Sequence, residues 1–208
     1  MHLSIILKDM VTERRLQRIE TACSQKQEGI IVLQDIHDPH NAQAVIRSCE
    51  CFGIQTIYLI FEKEKRFNPS EFGKLASSSA NKWLDYKIFE STQDCMTELK
   101  ASGYKIVATS LKEESQTIYD FDFTAQEKIA LCFGNEQVGL NEAAISQADS
   151  TLYIPMHGMI QSLNLSVTAA LCLFEMTRQR KAKNFDQFLF SKEKQESLKE
   201  KFLAEHCN

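Results

Sequence analysis

Runs that stay apolar along their whole length constrain this chain most. Six of them are rich in Val, Ile and Leu and show little polar alternation: "IIVLQ" (Ile30 to Gln34), "TIYLIF", the end of "WLDYKIF" (around Tyr86 to Phe89), "YKIVATS", "KIALCFG" and "STLYIP". A strand with water on one face alternates; a strand covered on both faces does not. The segments between them have helical period. Thr12 can cap a helix whose stripe is Leu16, Ile19 and Cys23, with Gly29 after its end. Asn41 to Phe52 is stopped by Gly53, and "STQDCMTELKASG" carries its own Ser or Thr cap and glycine stop. "NEAAISQA" makes a short helix, and "LNLSVTAALCLFEMTRQR" a long one with Leu165, Ala169, Cys172, Leu173 and Met176 on one face. Strand and helix in alternation predict an α/β fold, a parallel sheet covered by helices on both faces.

A chain of 208 residues suffices for one sizeable core. No linker rich in Pro, Gly or Ser and no internal repeat divides it. The expected organisation is a central domain over 29–183, an N-terminal helical extension over 1–28 and a charged C-terminal helical tail over 184–208 that could fray. Seven scattered cysteines, odd in number and without a C-x-x-C, fit a reducing, cytoplasmic setting rather than a disulfide framework or a zinc site. No apolar run approaches the ~20 residues that span a bilayer, and "MHLSIILKDMVTERR" does not read as a signal peptide. Neither a membrane partner nor a metal is expected. The net charge of −4 argues mildly against nucleic acid, but two patches are basic. They are "ERRLQR", with Arg14, Arg15 and Arg18, and "RQRKAK", with Arg178, Arg180, Lys181 and Lys183. Taken alone, each is better read as a solvated helix face.

Ligands of open parallel sheets bind beyond the carboxyl ends of the strands. Three segments follow such ends: "DIHDPHNAQAVIRSCECFG", "FGNEQVGLNE" and "IPMHGMIQSLNLS". Neither G-x-G-x-x-G nor G-x-x-x-x-G-K-[ST] is present, which disfavours a dinucleotide fold and a P-loop. Gly134, Gly139 and Gly158 fall in the two later segments, where they serve tight turns or let a ligand approach the backbone. Arg47, nearly two turns along a helix from Asn41, needs an anionic partner, either a ligand or a structural carboxylate such as Glu136. His37 and His40 beside Pro39 read as turn residues rather than a metal pair, and Cys49 and Cys51 cannot share a helix face. Ser162 is a candidate helix cap, or part of a helix start that offers donors to a polar group. Lys82 and Trp83 sit in "SSSANKWLDY", which suits an RNA contact or an anchored surface loop.

Together the three segments resemble the motifs of the SpoU branch of the SPOUT methyltransferases: "NAQAVIRSCECFG", "GNEQVGL" and "IPMHGMIQSLNLS", in that order. Within that branch the third motif, the "RQR" and the "ANKW" are most similar to enzymes that methylate the 2′-hydroxyl of guanosine-18 in tRNA. The resemblance implies a parallel sheet with a C-terminal trefoil knot, a bent S-adenosylmethionine held by the knot, and a homodimer with its active site at the subunit interface. It implies catalytic roles for Arg47 and Asn41, supported by Glu136, Ser162 and Asn164. Cofactor contacts are implied for Phe133, Gly134, Asn135, Glu136, Gly139, Ile154, Pro155, Met156, Met159, Ser162 and Leu163. Under this reading Arg14, Arg15, Arg18, Lys82, Arg178 and Arg180 become RNA-phosphate contacts. Arg47, whose pKa exceeds ~12, would bind the neighbouring phosphate or stabilise the developing alkoxide rather than act as a simple base. The alternatives are another tRNA position, ribosomal RNA, or an RNA-binding protein that keeps the fold without turnover.

Overall fold

The computed structural model describes residues 11–69 and 80–206; the expectations for residues 1–10, for the serines at 77–79 and for Cys207 fall outside them. Among the described residues seven strands form one sheet, and every pairing between them is parallel. In chain order they are β1 (Gln27–Gln34), β2 (Ile54–Ile60), β3 (Asp85–Phe89), β4 (Lys105–Thr109), β5 (Gln116–Thr117), β6 (Ile129–Phe133) and β7 (Ser150–Tyr153). In space they run β3-β2-β1-β6-β4-β7-β5, so β6 enters between the earlier strands β1 and β4. The helices are α1 (Glu13–Ser24), α2 (Pro39–Cys51), α3 (Thr92–Ala101), α4 (Glu142–Gln147), α5 (Leu165–Lys183) and α6 (Lys192–His206).

Parallel pairing brings all the strand carboxyl ends to one edge. The β1 and β6 registers pair Ile30 with Ala130 and Leu33 with Phe133, so both strands stop at nearly one level. Both sheet faces are covered. Ile31, Leu33, Ile57, Leu59 and Leu131 pack with Val45, Ile46 and Cys49 of α2 and Ala169, Cys172 and Met176 of α5. Ile30, Val32, Ile106 and Cys132 pack on the opposite face with Cys95, Met96 and Leu99 of α3 and Ala144 of α4. This is why the strands read as unbroken apolar runs. A smaller core joins α1 to α6: Val11, Ile19 and Cys23 meet Leu198, Phe202 and Leu203. The C-terminal tail, expected as a helix that could fray, forms a helix and is packed.

Several boundaries differ from expectation. β1 starts three residues early, at Gln27, whose N–H donates to Gly53 O at 2.9 Å and whose amide donates to Phe52 O at 2.7 Å. Polar residues at that start hid it from an apolar count. α2 starts at Pro39 rather than Asn41, because Asp38 accepts from His40 N at 2.9 Å and proline suits the first turn. α5 is capped by Asn164, not Ser162, through Ser166 N at 2.8 Å. The two-residue edge strand β5 was too short to read, and Ala80–Trp83 is a 3-10 turn rather than an open loop.

Arg180 is corrected as an RNA contact. It is fully buried, and its guanidinium donates to Gln27 Oε1 at 2.9 Å, Glu28 O at 2.6 Å and Glu127 O at 2.9 Å. Burial pushes its pKa down to about 10, against the opposing pull of Glu28. It ties α5 to the start of β1 and has no surface to offer a phosphate.

Candidate active site

The second motif folds as a tight turn directly after β6. Asn135 N donates to Gly139 O at 3.1 Å and Gly139 N returns to Asn135 O at 2.8 Å. Gly139 takes a φ of 73°, a left-handed conformation that glycine adopts without strain. The Asn135 side chain fixes the turn from inside, accepting from Gln137 N at 2.9 Å and Val138 N at 3.3 Å. Its amide nitrogen donates to Asp35 O at 2.7 Å. Asp35, at φ 49°, in turn accepts from Glu62 N at 2.8 Å and Lys63 N at 2.9 Å. One carboxylate thus holds together the loops that leave β1 and β2, while its carbonyl anchors the turn after β6. Nothing in the sequence singled Asp35 out, apart from its position at the end of the first strand.

Glu136 at the tip of this turn does not pair with Arg47. Its carboxylate accepts from His37 N at 2.9 Å, Asp38 N at 3.3 Å and Asn41 Nδ2 at 2.8 Å. Asn41 Oδ1 then accepts from Asn164 Nδ2 at 2.9 Å, and Asn164 caps α5. A single hydrogen-bonded run, Glu136 to Asn41 to Asn164, therefore joins the three motifs. Burial alone would raise the Glu136 carboxyl, but the hydrogen bonds from Asn41 and the backbone outweigh it and hold its pKa below the usual 4.5. A lowered folded-state pKa gives stability that is fully present above the unfolded value and lost as pH falls through the folded one. The melting-temperature gap between wild type and Glu136→Gln should therefore be full above about pH 4.5 and shrink below it. Thermal unfolding from pH 7 to pH 3 measures this, and a gap independent of pH would refute the assignment.

Behind this run lies a cavity of about 490 Å³ at the carboxyl ends of β4, β6 and β7. Of the predicted cofactor contacts, Phe133, Gly134, Asn135, Glu136, Gly139, Ile154, Met156, Ser162 and Leu163 line it. Pro155 does not, and Met159 is wholly exposed. The sequence reading missed Thr109, Ser110 and Leu111, which form the wall beyond β4. The strand-end rule would have found them had it been applied to that strand too. The volume falls within the ~300–1,000 Å³ typical of small-molecule sites. Apolar Leu111, Leu140 and Ile154 together with the main chain of two turns suit a nucleoside with a charged tail, so the residues present fit S-adenosylmethionine. Among the described residues no group of His, Cys, Asp and Glu could hold a metal ion, and no helix is long and apolar enough to cross a membrane.

Arg47 is absent from this cavity. It is exposed on α2 and, among the described residues, has no hydrogen-bond or ion-pair partner. It lines a separate hollow of about 330 Å³ with Arg15, Arg18, Glu50 and Trp83. Arg14 and Arg18 are exposed on α1, and Lys82 is exposed beside Trp83. Arg178 is exposed but engages Glu175 through Nε at 2.8 Å and Nη2 at 2.7 Å. The structure thus brings Asn41, Glu136, Ser162 and Asn164 together and leaves Arg47 with the arginines of α1.

Comparison with known proteins matches this arrangement. The SpoU rRNA Methylase family matches residues 28–174. A Thermus thermophilus tRNA (guanosine(18)-2′-O)-methyltransferase is 34% identical over 174 residues, which is 81% of this chain and 84% of that protein. The crystal structure of the A. aeolicus TrmH/SpoU tRNA modifying enzyme superposes with a TM-score of 0.80 at 28% identity, covering 94% of this chain and 98% of that one. An AdoMet-bound rRNA methyltransferase from Sinorhizobium meliloti superposes with a TM-score of 0.66 at 26% identity over 77% of this chain and 59% of its own. With its three motifs joined at one cavity and the family's match spanning most of its length, the chain belongs to the SpoU methylase family.

Proposed function

We propose that the protein transfers a methyl group from S-adenosylmethionine to the ribose 2′-hydroxyl of guanosine-18 in tRNA, the activity its Thermus thermophilus relative is named for. The observation that carries this is the hydrogen-bonded run from Glu136 through Asn41 to Asn164 at the mouth of the cavity. When bound, S-adenosylmethionine supplies an electrophilic methyl group on a sulfonium. The residues around it have separate tasks. The turns at 134–140 and 154–163 present main-chain donors and acceptors, and Leu111, Leu140 and Ile154 give the apolar surface. Glu136, held ionised, fixes the orientation of the Asn41 amide. Asn41 uses one N–H and one lone pair within the run and keeps the others for a ribose or base edge. Arg47 is a permanent cation with a planar fork. It would hold the phosphate next to the target ribose, so that the phosphate accepts the hydroxyl proton, or stabilise the alkoxide as it forms.

Arg47 lies outside its own chain's cavity, which supports a site completed by a second copy. Val167, Leu171 and Phe174 form an exposed apolar stripe along α5, Val138 is exposed where it lines the cavity, and Met159 and Ile160 are exposed in the loop before α5. A homodimer would bury this stripe and bring the partner's α2 to the cavity. The entry of β6 between β1 and β4 supports the trefoil knot of this family. A reducing, cytoplasmic setting suits the free cysteines.

Purified protein incubated with labelled S-adenosylmethionine and unmodified total tRNA should yield labelled 2′-O-methylguanosine from the D-loop. Label on another ribose would keep the chemistry and overturn the target. No label on tRNA, with label on unmodified ribosomal RNA supplied in a parallel reaction, would move the substrate to the class named for the Sinorhizobium meliloti structure.

A further inference from the structure

Trp83 is the chain's single tryptophan, and no part of the methyl-transfer site uses it. It is half-buried at the end of the 3-10 turn, and its carbonyl accepts from Gln55 Nε2 at 2.8 Å. Two cations sit at its indole: Lys82 Nζ at 4.6 Å and Arg15 Cζ at 5.1 Å from the ring centroid. Both are within the ~6 Å over which an aromatic quadrupole attracts a cation. Phe202 of α6 packs edge-on against the same ring, with centroids 5.0 Å apart and planes at 66°. Trp83 also lines the hollow that holds Arg15, Arg18 and Arg47, with Glu50 its one carboxylate among the described residues.

Positive charges gathered on one small surface repel each other unless an anion joins them. Among the described residues none of Arg15, Arg18, Lys82 and Arg47 is paired with a carboxylate. Arg15 Nε is buried without an acceptor, and its guanidinium carbon lies over the ring, so that part of the side chain is held at the indole. The indole attracts the cations without neutralising them. That is the arrangement needed to present cations, ordered but still charged, to a phosphate.

We propose that Trp83, braced by Phe202 of the C-terminal helix, is a positioning residue that holds Arg15 and Lys82 against the tRNA phosphates next to the one bound by Arg47. The inference rests on the function proposed above and adds to it a role for α6. Three of this helix's four lysines, Lys194, Lys199 and Lys201, are paired with carboxylates, but the helix fixes the ring that fixes the cations.

The test is the salt dependence of tRNA binding by the full chain in wild type, W83L, R15Q and the double variant. Each phosphate contact contributes roughly 0.7–0.9 to the slope of log K against log salt. R15Q should lower the slope by about 0.7–0.9, as for any lost contact. W83L removes no charge, yet should lower the slope by at least as much and raise KM for tRNA more than it lowers kcat. The double variant should fall no further than about the W83L value, because Arg15 is already displaced there. S-adenosylmethionine affinity reports that each variant is folded, and W83F, which keeps the core shape with a weaker ring, takes the place of W83L if that variant is not. A W83L slope equal to wild type, or full additivity with R15Q, overturns the inference alone. If the wild type shows no salt-dependent tRNA binding, the functional reading falls with it.

Discussion

Arg47→Lys should lower the rate of tRNA methylation by ~10²–10³-fold, the loss typical of removing one preorganised donor at a developing charge. S-adenosylmethionine affinity should stay within about twofold of wild type, because Arg47 is assigned to the RNA phosphate rather than to the cofactor and does not line its own chain's cavity. Lysine keeps the charge but loses the planar fork that grips two phosphate oxygens together. The variant therefore separates geometry from charge. Initial rates with labelled cofactor and unmodified tRNA, beside a calorimetric titration of the cofactor, give both numbers. A variant that keeps more than about a tenth of the rate would remove Arg47 from the chemistry. The same residue tests the shared site. Chains carrying Arg47→Ala, mixed with chains whose cavity is disabled, should regain roughly a quarter of wild-type activity if statistical pairing yields half mixed dimers with one complete site each. Absence of recovery would mean that Arg47 serves its own chain.

The parts of this molecule legible in sequence are those set by periodicity. Ile30–Leu33 and Ile129–Phe133 had to be central strands, because nothing else buries so many consecutive apolar side chains on both faces. The order of the strands was not legible, since the insertion of β6 beside β1 rests on long-range packing that local pattern does not encode. The candidate site was legible where motif residues lie on the turns and helix starts that follow strands, as Asn41, Glu136 and Asn164 do. It was not where the wall comes from a strand end that carries no motif, as at Thr109 and Ser110, or where a side chain serves other loops, as Asp35 does. Arg178 and Arg180 show the limit most clearly. Two arginines two residues apart read as one basic patch, yet a helix turns ~200° between them. One faces water beside Glu175, and the other faces the start of β1.

Charge composition misleads for a related reason. The chain is net acidic, but several of its carboxylates are paired with lysines within the fold: Glu20 to Lys199, Asp85 to Lys201, Glu98 to Lys87, Glu28 to Lys194. Among the described residues the arginines of α1 and α2 have no carboxylate paired with them, so a local basic patch survives the acidic sum.

Gly134→Ala should have the second large effect, this time on cofactor binding. A Cβ built on Gly134 would overlap the backbone of Gly139 and Leu140, where no side-chain rotation can relieve it. The requirement is for space rather than for a left-handed φ, since Gly134 does not take one. To admit the methyl, the turn must open and give up the paired bonds between Asn135 and Gly139, at 3.1 and 2.8 Å. Glu136 rides on that turn, so its hold on Asn41 goes with it. Overpacking of this kind costs ~1–3 kcal/mol, which for a chain of this size corresponds to a fall in Tm of roughly 2–10 °C. The loss in S-adenosylmethionine affinity should be greater than tenfold, because the displaced turn is a wall of the cavity. Gly158→Ala is the matching control for stability: nothing lies within 4 Å of its built Cβ, so Tm should hardly move. Calorimetry on the two variants decides the matter. If Gly134→Ala bound the cofactor like wild type while melting lower, the turn after β6 would be a structural clasp only, and the cofactor's wall would have to lie along the turns after β4 and β7.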